Sequence, residues 1–407
     1  MPASNFVTFD PIFGILDLDN VLVTNSFLVD QFVGNRLFTT GNNAYGQLGL
    51  GNIINYSSPI QVGSLNNWRQ IAVGASMMAG IDTNYKLWVW GGQGLSTITN
   101  AGQLGNGTIV NYSSPVQVGA LTTWKQVSCG YRHTAAVKTD GTLWNWGANG
   151  NGQLGNGTLV SYSSPIQVGS LTNWKLVVAA GVNNFAIKND GTLWTVGSNL
   201  YGQLGNGTLV YYSSPIQVGS LTNWMQVAGG SYPNFPVAAI KTDGTLWTWG
   251  SGAGGGLGNG TTTYYSSPIQ IGSLTNWMQV AVGSSLYAIK TDGTLWACGY
   301  NTQGQLGNGT TVNYSSPIQI GSLNNWKTIS AYGVPASTPG FPLQNTGFAL
   351  ATKTDGTLWA WGYNSSGQFG NGTTVNYSSP IQIGTLNSWK QVSGSYFNTA
   401  AIPFMDI

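Results

Sequence analysis

The stretch "WKQVSCGYRHTAAVKTDGTLWNWGANGNGQLGNGTLVSYSSPIQV" (residues 124–168) contains the whole repeating plan of the chain. Four short runs rich in Trp, Val, Ile and Thr are separated by turn signals, the pattern of a small antiparallel sheet. WKQVS (124–128) reads as a first strand, A, and HTAAVKT (133–139) as a second, B. Asp140-Gly141 then supplies a two-residue hairpin, because Gly tolerates positive φ without steric cost. TLWNW (142–146) is strand C. A long connection rich in Gly and Asn leads to strand D, read as PIQV (165–168). Proline at the start of that strand suits an outer edge, where a missing N–H costs no ladder bond. In strand C, Thr142, Trp144 and Trp146 share one side and Leu143 takes the other. Both faces therefore carry apolar bulk, and the tryptophan rows read as core packing.

The same unit recurs along the chain. YSSP ends at Pro59, Pro115, Pro165, Pro215, Pro268, Pro317 and Pro380, and a Trp follows nine residues after each. A period of about 50 residues suits one four-stranded propeller blade. The series A-strand, GYRHTAAV, DGTLWNWG, GQLGNG and P-x-Q-V resembles the regulator-of-chromosome-condensation repeat. It covers residues 35–402. This resemblance implies a single all-β, seven-bladed β-propeller of four-stranded antiparallel blades over 31–407. The last copy, from WKQVSGSYFNTAAIPFMDI, holds strands A and B only. The first, from GNRLFTTGNNAYGQLG, supplies C and D. One blade built from both chain ends would clasp the ring, with residues near Leu37 pairing with residues near Ala401. Residues 1–30 fall outside the repeat. They are apolar, and are expected to form a leader that anchors the propeller in an assembly.

Composition narrows the function. Hydrophobic residues make up 42% of the chain. Charged residues make up 6%, against about 25% in ordinary domains. A net charge of +2, without a basic run, gives no electrostatic footprint for nucleic acid. No stretch approaches the ~20 apolar residues of a spanning helix, so membrane insertion is not expected. The N-terminus lacks the basic start of a secretory signal. Cys129 and Cys298 occupy different repeat positions and read as free thiols. The recurrent NGT at Asn106, Asn156, Asn206, Asn259, Asn308 and Asn371 reads as turn chemistry of a bacterial or viral chain.

Catalysis finds no constellation. The single histidine, His133, begins a B strand in a slot aligned with Asn184 and Asn398, which points to local hydrogen bonding. Asp140, Asp190, Asp243, Asp292 and Asp355 all belong to equivalent turns. Each has a lysine two residues earlier, which suggests weak surface pairs. Metal and cofactor sites are not expected: the GNGT loops lack the carboxylates that calcium needs, and the Gly-rich strings do not join a strand to a helix.

Binding is then expected on the face bearing the A–B and C–D connections. That face holds the enlarged loops 229–236, 331–347 and 91–102, with Tyr232, Phe235, Tyr332 and Phe341 as partner contacts. Two functions follow. One is a non-catalytic structural or adhesive protein of a phage virion or microbial surface, bound to a neighbouring protein or a host receptor. The other is an intracellular, cytoplasmic protein-binding regulator. The family resemblance extends to a chromatin-bound exchange factor for the Ran GTPase, which uses a basic tail and charged loops not visible here. It also extends to a bacterial inhibitor of β-lactamases that binds through aromatic and polar loops.

Overall fold

The computed structural model describes residues 35–92, 101–230, 236–334, 346–395 and 397–403, together with a short strand pair, Phe9–Asp10 with Ile15–Leu16. Seven four-stranded antiparallel sheets follow one another along the chain. In the unit quoted above they are Trp124–Cys129, His133–Lys138, Leu143–Gly147 and Tyr162–Gln167, paired in that order. Among the described residues the helical element is a single 3-10 turn, Ala253–Gly255.

The ring closes as the sequence predicts. Trp389–Ser395 and Asn398–Pro403 join Phe38–Gly41 and Tyr56–Gln61 in one sheet. Phe38 faces Ala401 and Gly41 faces Asn398. Strands from the two ends of the repeat region thus share one ladder, which leaves no open inner edge at the seam.

Strand D differs from expectation. It begins at Tyr162, three residues before Pro165, so the proline sits inside the strand. Gly147 pairs with Tyr162 and Asn145 with Ile166, with a bulge between them. Because D is the outer strand, a proline within it removes no ladder bond on the solvent side.

The core lies between blades. Trp124 and Trp146 pack in a cluster with Met77, Ile81 and Leu87 of the preceding sheet. The leading Trp of each A strand meets an aromatic ring of its C strand edge to face, as with Trp124 and Trp144 at 6.2 Å and 77°, and in the closing blade Trp389 meets Phe38 at 6.2 Å and 83°. The tryptophan rows are therefore core packing, as the two-sided apolar pattern requires.

The innermost strands are joined by glutamine side chains. Gln126 Nε2 donates to Val177 O at 2.8 Å, and Val177 N donates to Gln126 Oε1 at 2.9 Å. Gln70 makes the same pair of bonds to Val127, Gln226 to Val280 and Gln391 to Ile71. Gln279 Oε1 accepts from Ile329 N. Each amide stands in for a strand backbone and satisfies the inner edge of the next blade. Leu176 and Thr328 hold this position in the two remaining blades.

Candidate functional site

Strand order puts the A–B and C–D connections on one face and the hairpins and D–A turns on the other. Charge divides the same way. Across all fourteen A–B and C–D connections the sequence contains one charged side chain, Arg132. The opposite end carries the Asp-Gly turns, the lysines that precede them, and Arg69, Lys125, Lys175, Lys327 and Lys390 at the second position of their A strands.

Buried amides hold five of the C–D loops on the charge-poor face. Asn149 follows strand C by two residues and is fully buried. Its Oδ1 accepts from Leu154 N at 2.9 Å, while Nδ2 donates to Asn156 Oδ1 and to the carbonyls of Thr158 and Val160 at 3.0–3.1 Å. Asn199, Asn301 and Asn364 repeat this pattern, and Asn43 a variant of it. One side chain thereby replaces the ladder bonds that a long loop lacks. The NGT asparagines act locally: Asn156 Oδ1 accepts from Thr158 N and Oγ1 at 3.2 and 2.9 Å. These are Asx turns, as the sequence suggests.

The described C–D loops present apolar side chains to solvent. Ile53 and Ile54, Ile109 and Val110, Leu159 and Val160, and Leu209, Val210 and Tyr211 are all exposed. Above the central channel, a cavity of about 230 Å³ is lined by Ser128, Cys129, Tyr131, Ala179, Tyr332 and Ser393. The channel itself holds a second space of similar size, lined by the glutamine clamps.

Of the expected contact residues, Tyr332 belongs to strand Trp326–Val334 and not to a loop, because the hairpin pairs out to Val334 and Thr346. It is 8% exposed and packs with Phe348 and Leu350 at the mouth of the channel. Tyr232, Phe235 and Phe341 lie outside the described residues, as do most of the enlarged loops and most of residues 1–30.

The titratable groups are placed differently from the sequence reading in two respects. His133 aligns with Asn183, because both face the glycine that ends strand C. Asn184 is instead its partner in the next blade, with His133 Nε2 and Asn184 Oδ1 3.0 Å apart. Full burial pushes the imidazole down to about 4, partly opposed by its bonds to Asn184 and Asn183. His133 packs on Gly130, where a Cβ would lie 2.3 Å from the ring, so only glycine fits.

The lysines before the Asp-Gly turns are not surface pairs. Lys138 is 7% exposed, and its Nζ sits 3.5 Å from the Trp144 ring centre and 4.9 Å from that of Trp124. Lys188, Lys241, Lys290 and Lys353 repeat the arrangement. Burial lowers the Lys138 ammonium, partly offset by the charge of Asp140. Asp140 is held low by its bonds to the Thr142 hydroxyl and amide, while burial opposes and Lys138 adds a smaller effect. Cys129 and Cys298 are free thiols, and burial pushes Cys298 up to about 12. Among the described residues no three metal-ligating side chains converge, and no helix is long and apolar enough to cross a membrane.

Sequence reasoning missed the glutamine clamps and the loop asparagines. Both were visible as repeats, in W-x-Q-[VI] and in the G-x-N that ends strand C. Their roles depend on neighbours across a blade or a loop, which spacing alone does not reveal.

Comparison with known proteins agrees with this geometry. The model of the Regulator of chromosome condensation (RCC1) repeat matches seven times, over residues 35–81, 86–137, 140–187, 190–235, 243–289, 292–331 and 355–402. The chain is 36% identical over 118 residues to the probable E3 ubiquitin-protein ligase HERC3 of Homo sapiens, covering 28% of this chain and 11% of the relative. It is 32% identical over 124 residues to the ultraviolet-B receptor UVR8 of Arabidopsis thaliana, covering 29% and 27% respectively. The chain thus spans about a tenth to a quarter of these relatives. Its fold is similar to human WBSCR16 (TM-score 0.76, 19% identity, 92% of this chain and 100% of that one). It is also similar to Prp20p of Saccharomyces cerevisiae (TM-score 0.77, 16% identity, 92% and 93%), a structure described with its binding to Gsp1p and histones. Seven matched repeats, folded as seven blades around a clasped ring, make this chain a member of the RCC1 repeat family.

Proposed function

We propose that this propeller is a non-catalytic protein-binding regulator that holds its partner on the A–B/C–D face. The observation that supports the reading most is the separation of charge. One face exposes aliphatic and amide side chains on rigid loops and carries Arg132 as its one charge. Desolvating such a surface costs little, and fixed loops lose little entropy on binding. Relatives lend the class of partner: Prp20p is described with protein partners, and a second structure shows it bound to Kap60. An exchange-factor-like or inhibitor-like role, and a cytoplasmic location, accompany this reading. It displaces the virion or adhesive role suggested by composition, for which the relatives offer no support. Tyr232, Phe235 and Phe341 remain proposed contacts, and Tyr332 is proposed to shape the mouth of the channel.

The test compares single charges on the two faces. Proteins that co-purify with the tagged native chain are identified, and their binding is measured with Ile54→Asp, Val210→Asp and, on the opposite face, Leu221→Asp. The first two are expected to weaken binding at least about tenfold and the third to leave it unchanged. The reverse pattern would show that the other face binds.

A further inference from the structure

The net charge of +2 conceals an uneven distribution. Residues 35–403 carry all thirteen basic side chains but only six of the eleven aspartates; the others are Asp10, Asp17, Asp19, Asp30 and Asp406. Five of the bases, Lys138 and its counterparts, rest on indoles. Five more share one position, the second residue of an A strand. In all seven blades that residue is the extra member of a β-bulge: Trp124 pairs with Lys138 and Gln126 with Val137, with Lys125 between them. A bulge re-aims its side chain, and bulges are common beside functional sites.

Around the ring this position reads Lys327, Lys390, Arg69, Lys125, Lys175, Met225 and Met278. Five cations therefore stand on five consecutive blades, in one layer at the hairpin end of the channel, and two methionines complete the circle. Lys390 is 8% exposed and lines the channel space together with Gln70, Gln126 and Gln391. Burial lowers its ammonium, and the like charge of Arg69 lowers it further. Arg69 is held in place: Nη1 donates to Tyr85 Oη at 2.9 Å, and the guanidinium lies 4.6 Å over the Tyr85 ring. Tyr85 does this from a left-handed φ of +59°, where the sister turn has Gly141. Backbone strain of this kind gathers at functional sites. Lys125 and Lys175 are exposed. The described aspartates of this face are engaged elsewhere. Asp140, Asp190, Asp243, Asp292 and Asp355 each bond the threonine two residues on and feel the charge of the lysine two residues before. Asp82 accepts from the amides of Asn84 and Lys86 and from Trp88 Nε1.

We propose that this arc of cations binds a small, soluble polyphosphate anion at the mouth of the channel, within reach of Lys390. Charges of one sign around a low-dielectric mouth focus the field and favour a compact ligand of opposite sign. Phosphate groups concentrate negative charge and acceptor oxygens in a short length. The planar fork of Arg69 suits phosphate oxygens in pairs, and the lysines act as point charges around it. A bilayer or a long nucleic acid is too broad to follow the ligand into the channel where Lys390 lies. The site is on the face opposite the proposed partner surface and takes a small anion, so it does not depend on that reading.

Isothermal titration calorimetry of the full chain at low salt compares inorganic phosphate, pyrophosphate and tripolyphosphate. Affinity is expected to rise at least about tenfold from phosphate to tripolyphosphate, and to fall as salt is raised. Lys390→Met is expected to weaken tripolyphosphate binding at least about tenfold. Lys125→Met and Lys175→Met, at exposed positions that folding tolerates, are each expected to weaken it severalfold. Lys241→Met, on a blade outside the arc, is expected to leave it unchanged. Equal affinity for the three anions, undiminished binding by the arc variants, or an equal loss in Lys241→Met would overturn the site. Tighter binding of a short oligothymidylate, or co-sedimentation with phosphatidylserine vesicles, would assign the charge to a macromolecular phosphate surface and overturn the small ligand. Ile54→Asp and Val210→Asp, which test the partner surface, are expected to leave tripolyphosphate binding intact, so the two readings fail separately.

Discussion

Lys241 shows how few charged residues this chain can use and where it puts them. Its ammonium lies 3.5 Å from the centre of the Trp247 ring and 4.9 Å from that of Trp224. A cation over two indoles gains from their quadrupoles while its stem covers apolar surface. Lys241→Met is therefore expected to lower stability by about 1 kcal/mol, and Lys241→Arg by less, in denaturant titrations. His133 adds a pH dependence. Its folded value of about 4 lies below the usual value near 6.5, so the unfolded chain takes up the proton first. The stability tied to neutral His133 is complete above about pH 6.5 and is lost as pH falls towards 4, amounting to ~3 kcal/mol. His133→Asn, which copies Asn183, should flatten the stability profile between pH 6.5 and 4. A parallel slope in the two proteins would show that other groups carry it.

At the scale of the element, side-chain amides do work that backbone ladders cannot. Gln126 satisfies both the N–H and the C=O of Val177 across a blade junction. Gln126→Leu keeps the size and orphans both groups, so a loss of about 2 kcal/mol is expected, with faster amide exchange at Val177. Asn149 has a comparable place within one loop. Asn149→Ala removes the bonds to Leu154, Thr158 and Val160, and should cost ~2–3 kcal/mol while freeing the connection that carries Leu159 and Val160. Partner binding by the A–B/C–D face should fall with it, because loop order contributes to affinity.

For the whole molecule, closure is the governing feature. The blade formed by Trp389–Ser395, Asn398–Pro403, Phe38–Gly41 and Tyr56–Gln61 joins distant parts of the chain. Gln391 then clamps it to Ile71 of the next blade. Deleting residues 397–407 removes the second strand of that sheet and leaves Phe38–Gly41 without its inner partner. Thermal unfolding is expected to fall by more than 10 °C and to lose its single transition, since repeat arrays hold together through neighbours. A sharp transition at the original temperature would show that the clasp is dispensable. The junctions at Leu176 and Thr328, which lack the glutamine, are where hydrogen exchange should detect opening first.

Sequence by itself determined the blade count, the four-strand plan and the seam. Each follows from local signals repeated in register: Asp-Gly turns, alternating Trp rows, and half-copies at the two ends. These signals act within about 50 residues, so one unit read correctly is seven units read correctly. It was less informative about strand D, because the ladder begins at Tyr162 through a bulge that only pairing with Gly147 reveals. Tertiary structure alone decided the side-chain partners, within blades and across their junctions. Lys138 and Asp140 are close in the chain, yet the lysine rests on Trp124 and Trp144, since the indoles offer it a buried site that the exposed carboxylate does not. His133 and Asn184 are 51 residues apart, and it is the stacking of one blade on the next that makes them neighbours.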